Sequence, residues 1–196
     1  MLGPLCGCCA PARVGARARG EQKYLRDGHD AVSSCPFCAI SRGADQHRVV
    51  FQDERLVVFH NIRPQARVHL LVAPRHHVAN TDSLAGPEDA RLVEEMERVG
   101  GDVLRRLAAA PGNSGGSGGG DSGGGGSTNE FKFGYHVPPW RSVDHLHLHC
   151  MALPHTPAWA AVKYLLPGVW LSSSDLIGRL RRQGAGRRRR GESAAA

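Results

Sequence analysis

The sequence predicts an α+β fold: a five-stranded, mostly antiparallel sheet carrying one long helix, with a C-terminal extension. Three observations lead there. Short β-branched and aromatic runs recur between turn signals. One stretch beginning at Pro87 keeps its apolar residues at helical spacing. Residues 145–149 read His-Leu-His-Leu-His, the strict alternation of a strand with two unlike faces. At 196 residues the chain can build one domain around a single core.

Taken in order, residues 1–30 are rich in Ala, Gly, Arg and Pro without periodicity, which predicts a disordered N-terminal tail. The folded domain is expected over 31–182. Val49 to Phe51 and Leu56 to Phe59 read as strands of a hairpin around Gln52-Asp53-Glu54-Arg55. His69 to Ala73 is a third strand, ended by Pro74. The helix opens with proline at its first position and with Glu88 and Asp89 set against the helix dipole. Leu92, Val93, Met96, Val99, Val103 and Leu104 form its buried stripe, interrupted by Gly100 and Gly101. Residues 111–128 are nearly all Gly and Ser, a flexible loop whose length costs little closure entropy. Phe131 to Val137 and His145 to Leu153 complete the five strands, joined by a turn containing Pro138 and Pro139. A short helix from Ser174 to Leu180, capped by serine, is expected in the extension, and 183–196 read as a basic disordered tail.

The net charge of +7 resides largely at the two ends, in Arg13, Arg17 and Arg19 and in the arginines from 179 to 190. A basic tail can address a protein to the nucleus or simply keep an end solvated, and it does not by itself make nucleic acid a partner. Pro4 and Pro11 spoil an amphipathic targeting helix, so cytoplasm and nucleus are the expected compartments rather than mitochondria. No run approaches the ~20 apolar residues of a membrane span, so no membrane partner is expected. Six cysteines without an apolar leader argue for a reducing compartment rather than a disulfide framework.

If 145–149 is a strand, His145, His147 and His149 share one face, about 7 Å apart in succession, while Leu146, Leu148 and Cys150 share the other. A merely solvated face would carry Thr, Ser, Lys or Glu. Neutral imidazole is a nucleophile at pH 7 and can attack phosphorus directly if one ring nitrogen is aimed and the other is held. The central His147 suits the attacker, and its neighbours suit contacts to phosphate oxygens and protons. Ser142 could donate to the phosphate or the leaving group. A catalytic zinc on the three histidines is the competing reading, but ligands in a row converge poorly on a tetrahedral ion. A third reading, of a different class, is a nucleotide-binding scaffold without catalysis.

His145 to Met151 resembles the histidine triad motif. Phe59-His60-Asn61-Ile62-Arg63-Pro64-Gln65 and the segment from His69 to His77 look like the nucleotide-pocket region of the histidine triad superfamily, in its nucleotide-binding (Hint) branch. Phe133 to Trp140 before the triad, and Trp170-Leu171 with Asp175-Leu176-Ile177 after it, extend the similarity. The resemblance implies a nucleoside phosphoramidate hydrolase that acts on adenosine monophosphoramidate and on adenylated amines such as lysyl-AMP, as a homodimer or larger homo-oligomer. It implies that His147 carries a covalent nucleotidyl group and that His149, His145 and His69 support it. It places Pro36, Phe37, Ile40, Phe59, His60, Asn61 and Ile62 around the base and ribose, Trp140, Arg141 and Ser142 near the phosphate, and Leu148 among the nucleotide-binding residues. Asn61 stands where relatives usually carry an aspartate, and an amide offers the ribose one oxygen and no charge.

No cofactor is required for that chemistry. Cys35-Pro36-Phe37-Cys38 nevertheless has the spacing of a zinc half-site, with a pair of reduced cysteines as the plain alternative. The resemblance implies that His77 and His145 complete a structural zinc site with Cys35 and Cys38.

Overall fold

The computed structural model describes residues 33–110 and 130–193, with side chains through residue 185. The expectations for residues 1–30 and 111–128 lie outside the described residues. β1 (Val49–Gln52) and β2 (Leu56–His60) form the predicted hairpin. Asp53 shapes its turn, its Oδ1 accepting the Arg55 and Leu56 amides at 2.8 and 2.7 Å. β3 (Val68–Pro74), β4 (Phe131–His136) and β5 (Leu148–Ala152) follow, and β6 (Trp170–Ser172) closes the other edge. The order is β1-β2-β3-β5-β4-β6, with every neighbouring pair antiparallel. The sheet therefore has six strands, not five. The extra one is a three-residue edge strand too short to register as an alternation.

One face of the sheet is covered by α2 (Pro87–Ala109), with Leu56, Val58, Leu70, Val72, Leu148 and Cys150 packing against Val93, Met96 and Leu104. Gly100, which weakens the stripe in sequence terms, is the point of closest approach. A β-carbon there would lie 2.6 Å from both Cys150 Sγ and Val72 Cγ2. Gly100→Ala is accordingly expected to destabilise by about 1–3 kcal/mol through overpacking, despite alanine's better helix propensity. A denaturation midpoint equal to or above wild type would contradict this.

α3 (Ser173–Ser193) starts where the extension helix was expected but runs beyond Leu180, through residues assigned to the basic tail. Ser172 caps it, its Oγ accepting the Asp175 amide at 3.1 Å. Leu176 and Leu180 enter the core beside α2, Arg181 pairs with Glu94 at 2.8 Å, and Gly184 lies against Pro87. Tertiary contacts on α2 thus extend a helix whose own sequence carries little apolar periodicity.

Among the described residues the opposite face is covered only at its two ends. A short helix α1 (Pro36–Ser41) packs Phe37, Cys38 and Ile40 onto Val57, Phe59, Leu71 and Ala73. A 3-10 helix over Ala158–Tyr164 packs Tyr164 onto Met151 and Ala66. Between the two caps the sheet presents its histidines.

Candidate active site

β5 is shorter than predicted, because residues 145–147 lie outside the ladder, with a bend at His145. Leu146 donates its amide to Val78 O at 2.6 Å, so this stretch is held by the loop after β3. The alternation survives: Leu146, Leu148 and Cys150 enter the core under α2, while the imidazoles turn to the other side. His147 and His149 have ring centroids 5.1 Å apart, and His69, brought alongside by β3, stands 5.1 Å from His149.

Hydrogen bonds to backbone groups assign the tautomers of His147 and His69. A carbonyl only accepts, so His147 Nδ1–H donates to His145 O at 2.6 Å, leaving Nε2 as the ring nitrogen with a free lone pair. A backbone amide only donates, so Gln65 N–H at 3.1 Å makes His69 Nδ1 the acceptor. The His69 proton is then on Nε2 and is donated to His149 Nδ1 at 2.8 Å, while the Asn61 side-chain amide, a donor 3.2 Å from the same Nε2, finds no lone pair there. His149 consequently carries its own proton on Nε2, a buried atom with no partner among the described residues. His147 therefore offers a lone pair and His149 an unused N–H, side by side.

Both line a cavity of about 610 Å³ with Asn61, Ile62, Arg63, Gln65, His136, Trp140, Arg141, Ser142, Val143, Lys163, Tyr164 and Val169. Of the residues predicted for the nucleotide, the structure gathers Asn61, Ile62, Trp140, Arg141 and Ser142 there, with Ile62 and Trp140 exposed at the rim. Phe37 borders the site, its ring 5.1 Å from that of His147. The others are corrected. Phe59 and Ile40 are sealed in the core beneath α1, with Pro36 at the first position of that helix, and His60 is exposed at the end of β2. Leu148 faces α2, as strand alternation requires of a residue between two inward histidines. Asn61 Oδ1 already accepts the Arg63 amide at 2.9 Å. Arg141 is tied to Asp144 at 2.6 Å. His136, which flanks the site in sequence terms, ends the internal strand β4 and lines the cavity; Lys163 and Tyr164 were not predicted for the pocket and come from the non-periodic extension, where no sequence pattern points inward.

Burial dominates the electrostatics. It holds His147 down to about 4, against an opposing contribution from its bond to the His145 carbonyl, and it pushes His69 down to about 3 and His149 well below the usual range. The groups acting on His69 are Lys163, His136, His155 and His147, with His149 in hydrogen-bond contact, and none offers a negative charge. The unfolded chain therefore binds protons that the folded chain refuses, below an unfolded value of about 6.5. Stability is complete above that pH and is lost as the pH falls toward about 3. A melting temperature that declines steadily from about pH 6.5 downward is expected, and a flat profile from about pH 7 to 4.5 would contradict it.

His145 leaves the row and joins a second cluster. Its Nε2–H donates to Pro74 O at 2.8 Å, so its Nδ1 lone pair faces Cys35 Sγ at 3.4 Å and Cys38 Sγ at 3.5 Å. Cys38 Sγ is 3.4 Å from His77 Nδ1, and the four donor atoms lie within 4.8 Å of one another. A tetrahedral zinc with ordinary bond lengths sets sulfur and nitrogen ligands about 3.5 Å apart, so this donor set fits the ion. The bond to Pro74 supplies the outer support that metal-ligating imidazoles usually have. Burial raises the Cys35 thiol to about 11, so a bound cation would displace a proton there.

A six-stranded antiparallel sheet backed by a long helix, with alternating histidines on its open face, defines a histidine triad protein. The chain belongs to the histidine triad superfamily: residues 34–164 match the family described as scavenger mRNA decapping enzyme C-term binding. It is 37% identical over 132 residues to the Arabidopsis thaliana bifunctional adenosine 5′-phosphosulfate phosphorylase/adenylylsulfatase HINT4, spanning 67% of this chain and 78% of that one. It is 32% identical over 134 residues to the Danio rerio adenosine 5′-monophosphoramidase HINT3, spanning 67% and 72%. A solved structure of Hnt3 in complex with DNA and guanosine shares the fold, with a TM-score of 0.51 at 18% identity over 74% of each chain. The two curated relatives, HINT4 and HINT3, are by name enzymes of nucleotide chemistry.

Proposed function

We propose that this protein is a nucleoside phosphoramidate hydrolase that cleaves the P–N bond of adenosine 5′-monophosphoramidate and of adenylated amines such as lysyl-AMP. The observation that carries the reading is the His147 tautomer: Nδ1–H is spent on the His145 carbonyl, and burial keeps the ring uncharged, so the remaining nitrogen is a nucleophile at neutral pH.

The chemistry follows. The Nε2 lone pair of His147 attacks phosphorus and the P–N bond breaks, its electron pair leaving with nitrogen, which takes a proton supplied from solvent. A water then attacks phosphorus, the N–P bond to His147 breaks, and AMP departs as the water releases a proton. His149 Nε2–H stands beside the attacker as a hydrogen-bond donor to the reacting phosphoryl group, and His69 holds it in that tautomer. Asn61 and Ile62 in the cavity lining are read as the nucleoside end. Support also comes from the relatives whose names carry the phosphoramidase activity. The direct test is incubation of the protein with adenosine 5′-monophosphoramidate and assay of AMP. An inert protein that still binds AMP would favour a nucleotide-binding scaffold.

We also propose that Cys35, Cys38, His77 and His145 hold a structural zinc ion. With all four positions taken by side chains, such an ion supplies no open position for substrate and serves to fix α1 and the end of β3 against the triad.

A further inference from the structure

β4 pairs with β5 so that Gly134 lies opposite His149. Residues two apart on a strand share a face, so His136 stands on the same side of the sheet as His149, displaced toward the His147 end of β5. Its ring centroid is 4.9 Å from that of His149, edge to face at 84°. Two further rings box it in: Trp170 of β6 at 5.4 Å, and Tyr164 at 5.4 Å. Gly134 makes room for this arrangement, since a β-carbon there would lie 2.5 Å from the Trp170 ring.

The tautomer of His136 follows from its one hydrogen bond. A carbonyl only accepts, so Nδ1–H donates to Val169 O at 3.4 Å and the lone pair is on Nε2. Burial first, and then the Lys163 charge, hold His136 below the usual imidazole range against an opposing contribution from Val169 O, so the ring is uncharged at neutral pH. The cavity offers few other bases. No carboxylate lines it, and Asp144, outside the lining, is taken up by Arg141 at 2.6 Å and the Asn80 amide at 3.0 Å. Lys163 and Arg141 are cations, and burial raises the Tyr164 hydroxyl to about 12. His149 Nε2 carries a proton, and the His147 lone pair is consumed when phosphorus is attached to it.

We propose that His136 is a catalytic residue, the general base that deprotonates the water resolving the nucleotidyl group on His147. This rests on the nucleotidyl-transfer reading above and supplies the proton acceptor for its second step. Water attacks phosphorus as its proton passes to His136 Nε2. The N–P bond breaks, its electron pair returns to His147 Nε2, and AMP leaves. His136, now an imidazolium beside the Lys163 charge, gives the proton to solvent and is restored.

The experiment follows adenosine 5′-monophosphoramidate through wild type, His136→Ala and His136→Gln. Glutamine keeps an N–H for Val169 O but has no basic nitrogen, and circular dichroism checks the fold of each variant. Steady-state AMP production is expected to fall by about a hundredfold, as loss of a general base predicts. Ammonia release in the first turnover is expected to persist, so that acid-quenched variant accumulates an adenylyl group on His147 well above the wild-type level. A fall in turnover without that accumulation would overturn the assignment, because the defect would then precede the intermediate. Unchanged turnover in both variants would overturn it as well and leave the hydrolase reading standing. An inert wild type removes the hydrolase reading, and this inference with it.

Discussion

Replacing His147 with alanine is expected to lower turnover of adenosine 5′-monophosphoramidate by at least about a thousandfold, while AMP remains bound. The expectation follows from the division of labour around the ring. Asn61, Ile62 and Trp140 line the cavity independently of His147, so truncation removes the attacking nitrogen without dismantling the pocket. His149 keeps its tautomer, since His69 and the Gln65 amide set it, not His147. Oriented donors alone leave only a small residual rate. Mass analysis of wild type stopped during turnover is expected to find an adenylyl group on His147. Retained turnover in the variant would remove His147 as nucleophile. Loss of AMP binding in a variant that keeps its circular dichroism spectrum would assign it to binding instead.

The second large effect is expected on removing metal. The purified protein is expected to hold about one zinc per chain, and Cys35→Ser or stripping with a chelator is expected to lower the melting temperature on the order of 10 °C. Cys35 and Cys38 anchor α1, His77 follows β3, and His145 leads into β5, so four ligands join three parts of the chain that are otherwise linked mainly by core contacts. Activity is expected to fall as well. The carbonyl of His145 holds His147 Nδ1–H, so loosening that residue frees the nucleophile to rotate and to exchange tautomers. Absence of zinc from both wild type and Cys35→Ser, with equal melting temperatures, would leave the four side chains as a thiol–imidazole cluster.

The histidine row was legible because its signal is local. A period of two sorts side chains to opposite faces whatever the rest of the fold does, and His147, His149, Leu146, Leu148 and Cys150 fall as that rule requires. The long helix was legible for the same reason, in a period of 3.6. The pairing of Cys35 and Cys38 with His77 and His145 was reached through resemblance, since the intervals between them in the chain carry no periodic information. Resemblance also had a cost. It located segments rather than side-chain directions, so Leu148 was placed at a nucleotide from which strand alternation turns it away, and Phe59 and Ile40 at one from which the packing of α1 on the sheet seals them.

By itself, then, the sequence determined the α+β class, the shared face of the histidines and the helix that backs them, all of which follow from the geometry of consecutive residues. Only the tertiary structure decided the protonation pattern of the site, because the groups that set it are remote in the chain: Gln65 for His69, His69 for His149, Pro74 for His145. It also decided that Gly100 is where helix and sheet touch, that the last helix runs on past Leu180, and that Lys163 reaches the cavity. Such features depend on distances between segments, and a linear pattern encodes those only through the packing of the whole chain.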